Sequence, residues 1–152
     1  IEQDIRQISH ELNTDFVSGS GFMDIVTELI ENQTQAYGLQ YDFYYTDDIR
    51  WEHISNKTKI NIYRIIQESM QNIYKHANAR QIKISISLKN NVILLDITDD
   101  GDGFDTSKSK KGIGLKNMSS RITDIHGTIA FNSTLGEGTT VNVTIPYTTD
   151  TL

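Results

Sequence analysis

The stretch from Lys57 to Ala79 (KTKINIYRIIQESMQNIYKHANA) constrains the fold most, because it has the spacing of one long amphipathic helix. At about 100° per residue, one side collects the apolar residues Ile62, Ile66, Met70, Ile73 and Ala77, flanked by Tyr63 and Tyr74. The opposite side collects Glu68, Asn72, Lys75 and His76 within an arc of about 100°. Asn and Glu suit a hard cation or its waters, whereas Lys and protonated His suit phosphate. On its own, this stripe is equally compatible with a solvated helix face.

The remaining elements follow from hydrophobic spacing. After Ala79 the period changes to two, which predicts a half-buried strand over 82–88, a tight turn over 89–91 and a second, interior strand over 92–98. Helices are predicted over 22–37, ending at Gly38, and from Gly112 to a stop at Gly127. A strand is predicted over 41–45, a loop around Trp51, and a last hairpin over 128–133 and 139–145. This order predicts a two-layer α/β sandwich, a mixed β-sheet with helices on one face.

Composition excludes several classes of function. The net charge of −6 argues against a nucleic-acid binder. The segment from Lys57 to Lys83 nevertheless contains six basic residues and only one acidic residue, a local positive charge that suits a small anionic ligand. The chain has no cysteine, so disulfides and thiolate metal sites are excluded, and a reducing, cytoplasmic setting is expected. No apolar run approaches the ~18 residues of a membrane span. The chain starts without methionine, and we expect it to be part of a longer protein.

Two glycine-containing motifs follow the long helix. In DDGDGF, from Asp99 to Phe104, a carboxylate at the end of a strand can accept a hydrogen bond from an exocyclic amine, and glycines let the backbone approach a flat ligand. A calcium loop is disfavoured, because the position about six residues past each glycine is a serine, not a glutamate. In Gly112-Ile113-Gly114-Leu115, a helix start offers free N–H groups to phosphate. Alone, Gly-x-Gly is a weak signal, and it is not the dinucleotide fingerprint.

Together, in this order, the three motifs resemble those of the GHKL ATP-binding fold, shared by sensor histidine kinases, gyrase-type topoisomerases, heat-shock-90 chaperones and mismatch-repair ATPases. RIIQESMQNIYKHANA resembles the N box of the nitrate-sensor-like histidine kinases, DDGDGFD their G1 box, GIGLKNMSSRI their G2 box and GEGTTVNVTIP their closing hairpin. The resemblance covers about residues 22–147 and implies a short lid between the two glycine motifs. It implies the catalytic domain of a sensor histidine kinase, which passes the γ-phosphoryl group of Mg-ATP to a histidine.

The resemblance also implies a role for each matching residue. Glu68 and Asn72 would be catalytic and would hold Mg²⁺ or its water shell, with Lys75 and His76 near the phosphates. Asp99 would accept the adenine amino hydrogen, in a pocket that Gly101 and Gly103 shape. The lid would enter the phosphate-facing helix end through Gly112, Gly114 and Leu115, while Thr139 would support the adenine side through its hydroxyl. Implied partners are ATP, the protein's own dimerisation helices and a response regulator.

His10 needs separate consideration, because ISHEL superficially resembles a phosphoacceptor box. Only about ten residues separate it from the first helix of the ATP-binding domain, too few for the rest of a helical hairpin. We therefore expect residues 1–21 to be the end of a dimerisation and phosphoacceptor hairpin plus a linker, 22–147 the ATP-binding domain, and 148–152 a frayed tail. His53 and His126 are interpreted as surface or packing residues. Two alternatives remain open: an anti-sigma-type GHKL protein-serine kinase, and a GHKL interaction module without catalysis.

Overall fold

The computed structural model of the chain describes residues 21–103 and 113–148. The helices are α1 (Phe22–Tyr37), α2 (Asn56–Asn72) and α3 (Ile113–Asp124), with a short 3-10 helix at Trp51–His53 and a π-helical turn, Ile73–Ala77, that continues α2. The strands are β1 (Gln40–Tyr45), β2 (Gln81–Lys89), β3 (Val92–Asp99), β4 (Thr128–Ser133) and β5 (Thr139–Pro146). The predicted elements between residues 22 and 146 are therefore all present.

The five strands form one mixed sheet in the order β1-β2-β3-β5-β4. β1 runs parallel to β2 through a crossover that contains α2, and the other neighbouring pairs are antiparallel. β3 lies between β2 and β5, as its apolar composition predicted. The mixed two-layer α/β sandwich predicted from the sequence is thus confirmed.

One face of the sheet forms the core together with the helices. The buried residues of the three helices pack in a single cluster with alternate residues of the strands, for example Ile84, Leu95 and Val143. The other face is polar, and its cross-strand neighbours are hydrogen-bonded: Nδ2 of Asn142 donates to Oδ1 of Asp96 at 2.7 Å. The two faces explain why the helices all lie on one side, since that side offers most of the apolar surface.

The end of α2 differs from the sequence prediction of one regular helix to Ala79. Regular α-helix ends at Asn72, five residues continue it as a π-helical turn, and Asn78 has a left-handed conformation with φ 51°. The start agrees to within one residue and is capped by Ser55, whose Oγ accepts the Thr58 N–H at 3.2 Å. A π-helical turn has more residues per turn than an α-helix, so the angle between successive residues is smaller than 100°, and a stripe drawn at a constant 100° does not give the positions of Lys75 and His76.

Glycines were predicted to end two helices, Gly38 for α1 and Gly127 for α3. Gly38 ends α1 with φ 68° and donates its N–H to the carbonyl of Gln35, as predicted. At the end of α3 the left-handed residue is His126, with φ 63°, and the predicted stop, Gly127, follows it and donates its N–H to the carbonyl of Ile122 at 2.9 Å. Gly127 serves another purpose: a Cβ there would lie 2.5 Å from the carbonyl oxygen of Thr144.

Candidate nucleotide site

The end of the first motif, the long helix, contacts the second motif, the Asp-x-Gly-x-Gly loop after β3. The carbonyl oxygen of Ala77, at the end of the π-helical turn, accepts the backbone N–H of Asp102 at 2.7 Å. A Cβ at Gly101 would lie only 2.2 Å from that same oxygen. The loop after β3 can therefore approach the helix end only because residue 101 is glycine. This contact places the last turn of the long helix beside the Asp-x-Gly-x-Gly loop.

The third motif, which continues into α3, contacts the first motif through side chains of α3 and α2. Arg121 forms an ion pair with Glu68, Nη2 to Oε1 at 2.9 Å, and Oγ of Ser69 donates to Sδ of Met118 at 3.4 Å. Both contacts join α3 to Glu68 and Ser69, in the last turns of α2. Three motifs that are far apart in the sequence meet at one end of the sheet.

Asp99 is a buried carboxylate, with 5% of the residue exposed, at the last position of β3. Its Oδ1 accepts the N–H of Gly101 at 2.8 Å. Burial raises the pKa of Asp99 above its ordinary value, and it is the largest effect. The hydrogen bond from Gly101 lowers the pKa, the charge of Asp100 raises it, and a backbone hydrogen bond from Thr139 lowers it. A buried acceptor beside glycine backbone suits an amine donor on a flat ligand.

The neighbouring Asp100 serves the fold instead of the site. Its Oδ1 accepts the backbone N–H groups of Arg80, at 2.8 Å, and Gln81, at 3.0 Å, at the start of β2. These hydrogen bonds, that of Gln81 first, lower the pKa of Asp100 below its ordinary value. Two adjacent aspartates thus have opposite pKa shifts, because one is buried at the candidate site and the other caps a strand.

Glu68 and Asn72 lie one helical turn apart, on the same face of α2. Glu68 is 19% exposed and its Oε1 is held by Arg121, whereas its buried Oε2 has no hydrogen-bond partner within residues 21–103 and 113–148. Asn72 is half-buried. Their carboxylate and amide oxygens are ligands of the type that Mg²⁺ prefers. Within the described residues, no group of three or more His, Cys, Asp or Glu residues is placed to hold a metal.

The cationic residues have different environments. Lys75 and His76 are exposed on the π-helical turn, at the end of α2 where the three motifs meet. Lys59, which sequence analysis counted in the basic zone, is 1% exposed and belongs to the interior. The positive charge available to an anionic ligand is therefore smaller than the sequence suggested.

The β4–β5 loop closes the other side of the site. Thr139, at the start of β5, has its hydroxyl 2.8 Å from that of Ser133, so this hydroxyl pairs within the hairpin. Gly103 has φ 68°, and a Cβ there would lie 2.2 Å from the carbonyl oxygen of Thr134. Gly138 has φ 83°, and a Cβ there would lie 2.1 Å from the carbonyl oxygen of Asp99. These two glycines let the loop after β3 and the hairpin loop touch through their backbones.

Sequence analysis missed Arg121 and Gly138. Arg121 follows Met118 by three residues and so adjoins the apolar stripe of α3, a position where a charged residue needs a partner. Gly138 stood in the closing-hairpin motif without a role of its own. Gly112, His10, Phe104 and the lid between the glycine motifs lie outside the described residues.

Comparison with known proteins gives a family match and similar histidine kinases. The family model described as histidine kinase-, DNA gyrase B-, and HSP90-like ATPase matches residues 57–149. The signal transduction histidine-protein kinase/phosphatase DegS of Brevibacillus brevis is 26% identical over 97% of this chain, and the sensor histidine kinase LiaS of Bacillus subtilis is 26% identical over 95%. The chain spans 38% and 39% of the lengths of these two relatives.

Solved structures share the fold at low sequence identity. The blue-light activated histidine kinase of Erythrobacter litoralis EL346 superposes with a TM-score of 0.67 at 16% identity, over 80% of this chain and 40% of that chain. The catalytic domain of histidine kinase ThkA superposes with a TM-score of 0.64 at 17% identity, over 85% of this chain and 93% of that chain. Among the described residues, no helix has the length and apolar character needed to cross a bilayer.

Proposed function

The chain belongs to the family of histidine kinase-, DNA gyrase B- and HSP90-like ATPases, and from this premise we propose that it is the ATP-binding catalytic domain of a sensor histidine kinase. The observation that carries the proposal is the meeting of the three motifs at one end of the sheet, through the Ala77–Asp102 and Glu68–Arg121 contacts. The two curated relatives, both named as histidine kinases, align over nearly the whole chain, which supports the same function.

In this proposal the adenine lies against the end of β3. The Asp99 carboxylate accepts the adenine amino hydrogen, and Gly101 and Gly103 keep the neighbouring backbone close enough to line the pocket. The Thr139 hydroxyl, tied to Ser133, supports this side indirectly. The burial of Asp99 favours the role, because a charged acceptor away from water contributes more to a hydrogen bond than an exposed one.

The phosphates would lie between the end of α2 and the start of α3. Asn72 and Glu68 would hold Mg²⁺ or its waters, a role that fits the unpaired, buried Oε2 of Glu68. Lys75 and His76 would contribute positive charge, and Gly112, Gly114 and Leu115 would lead the chain into the N-terminal end of α3, whose free N–H groups suit phosphate. When bound, Mg²⁺ neutralises phosphate charge, and the protein contributes mainly position and electrostatics to phosphoryl transfer.

The acceptor and partners are part of the same proposal. The γ-phosphoryl group would pass from ATP to a histidine on a helical hairpin of the same protein, whose end residues 1–21 would form, and then to an aspartate of a response regulator. The domain would include residues 22–147, with 148–152 as a tail.

Calorimetric titration with Mg-ATP tests the adenine assignment, using Asp99→Asn and the matched control Asp96→Asn. Asp96 lies on the same strand but faces the polar side, where it bonds Asn142. Losing a charged acceptor costs about 1.5–3 kcal/mol, so we expect the Kd of Asp99→Asn to rise about 10- to 150-fold. The control should bind like the native chain. Tight binding by Asp99→Asn would refute the adenine pocket, and a folded native chain that does not bind ATP would refute the proposed function.

A further inference from the structure

The ion pair between α2 and α3 has an unusual geometry. Arg121 directs two nitrogens at one oxygen of Glu68: Nε lies 3.0 Å and Nη2 lies 2.9 Å from Oε1. A guanidinium normally engages both oxygens of a carboxylate, one with each N–H. Here the fork holds a single oxygen, and the other oxygen of Glu68 is left over.

The oxygen that is left over is also buried. Oε2 of Glu68 has no hydrogen-bond partner in the described part of the chain, although an unsatisfied buried acceptor is costly. If the pair existed only to join two helices, a bidentate arrangement would use both oxygens at no such cost. The geometry suits a carboxylate that is fixed by one oxygen and presents the other to a bound ligand.

We infer that Arg121 is a positioning residue, which fixes the Glu68 carboxylate so that Oε2 faces the phosphate side of the nucleotide site. This inference rests on the proposed function and deepens it. Arg121 itself does not touch the nucleotide; it acts through Glu68. Since α3 follows the segment between the two glycine motifs, the pair also ties the orientation of Glu68 to the docking of α3 on α2.

The alternative is that the pair only stabilises the packing of the two helices. Arg121 is 33% exposed, and such ion pairs contribute little to stability. A purely stabilising role would lower the unfolding midpoint without a specific loss of kcat. A positioning role would lower the rate of phosphoryl transfer and leave ATP binding unchanged.

The test uses the parent kinase with its phosphoacceptor, and measures autophosphorylation with radiolabelled ATP beside calorimetric Kd. Arg121→Met should lower kcat by about 10- to 100-fold, the cost of misplacing a reacting group, with Kd unchanged. Arg121→Lys should recover part of the rate, because an ammonium can contact Oε1 but cannot form the fork. Lys89→Ala, which removes an exposed cation at the opposite end of the β2–β3 hairpin from Asp99, serves as the control and should keep the native rate.

A double-mutant cycle decides whether Arg121 acts through Glu68. In a Glu68→Gln background, Arg121→Met should cause little further loss of kcat, because the group it positions is already disabled. An equal loss in both backgrounds, or a loss that appears in Kd, would overturn the inference. Should Arg121→Met fail to fold, the same cycle with Arg121→Lys gives the answer.

The outcome for this inference is separable from that for the proposed function. If Asp99→Asn loses ATP binding while the Arg121 variants phosphorylate normally, the nucleotide site stands and the positioning role is refuted. If the native kinase neither binds ATP nor phosphorylates a histidine, the proposed function itself is refuted.

Discussion

Replacing Gly101 by alanine should separate the helix end from the loop after β3. A Cβ at residue 101 would lie 2.2 Å from the carbonyl oxygen of Ala77 and 2.8 Å from both its carbonyl carbon and its Cβ, whereas ordinary contacts are 3.4–4 Å. The loop would have to withdraw by about 1 Å, because the obstacle is backbone and cannot rotate away. This movement would break the hydrogen bond from Asp102 to Ala77, now 2.7 Å long.

The expected cost follows from these contacts. Overpacking costs about 1–3 kcal/mol, and the lost backbone hydrogen bond adds about 0.5–1.5 kcal/mol. The free energy of unfolding should therefore fall by about 2–4 kcal/mol. Gly101 does not have a positive φ, so alanine itself is compatible with the backbone there. ATP affinity should fall too, because the displaced loop follows directly on Asp99.

Urea unfolding monitored by circular dichroism, with calorimetry for ATP, measures both effects. Two controls separate the causes. Gly136→Ala places a side chain at φ 84° in open space and should cost about 1–2 kcal/mol, the price of the left-handed backbone alone. Gly21→Ala meets its nearest atom at 3.6 Å and should cost less than about 1 kcal/mol, because glycine is better than alanine at the N-cap of α1. If Gly101→Ala changes stability by less than about 0.5 kcal/mol, the close approach does not determine the position of this loop.

Two further predictions concern the same end of the sheet. Because folding raises the pKa of Asp99, ionisation of this carboxyl group opposes folding. The stability that Asp99 contributes is full below its unfolded pKa and is lost as the pH rises through its folded pKa. Asp99→Asn should therefore be more stable than the native chain near neutral pH. ATP affinity should also decline on acidification, at a higher pH than for an aspartate with an ordinary pKa. Urea unfolding and calorimetry across pH measure the stability and the ATP affinity. Identical pH profiles for Asp99→Asn and the native chain would contradict the raised pKa. Tyr74→Ala should cost about 1 kcal/mol in urea unfolding, because Tyr74 stacks on Tyr37 at 4.2 Å, and Tyr74→Phe should cost nothing.

The sequence predicted the elements and the sheet well, because both depend on local spacing. The turn at Asn90 and Asn91 is an example: both residues have positive φ, 53° and 60°, as a two-residue hairpin turn requires. The buried stripe of α2 also matches, since Ile62, Ile66 and Met70 are fully buried.

Features that depend on distant residues were not predictable from spacing. The π-helical turn cannot be seen in a fixed 100° pattern, and its last carbonyl, that of Ala77, bonds Asp102, which lies in the next motif. The Arg121–Glu68 pair joins residues 53 apart, so nothing local to either residue indicates it. At Gly127 the glycine was visible but its reason was not, because the neighbouring carbonyl belongs to β5.

The β2–β3 hairpin indicates the order in which the strands of the sheet pair during folding. Its two-residue turn closes the shortest loop in the sheet, whereas the β1–β2 pair joins residues about 41 apart, such as Tyr41 and Ile82, and must wait for the crossover. Zipping from the turn starts at the Lys89–Val92 pair and reaches Asp99, opposite Ile82, last. The carboxylate of the proposed nucleotide site therefore lies at the end of the hairpin that forms last, where a bound nucleotide should slow amide hydrogen exchange most.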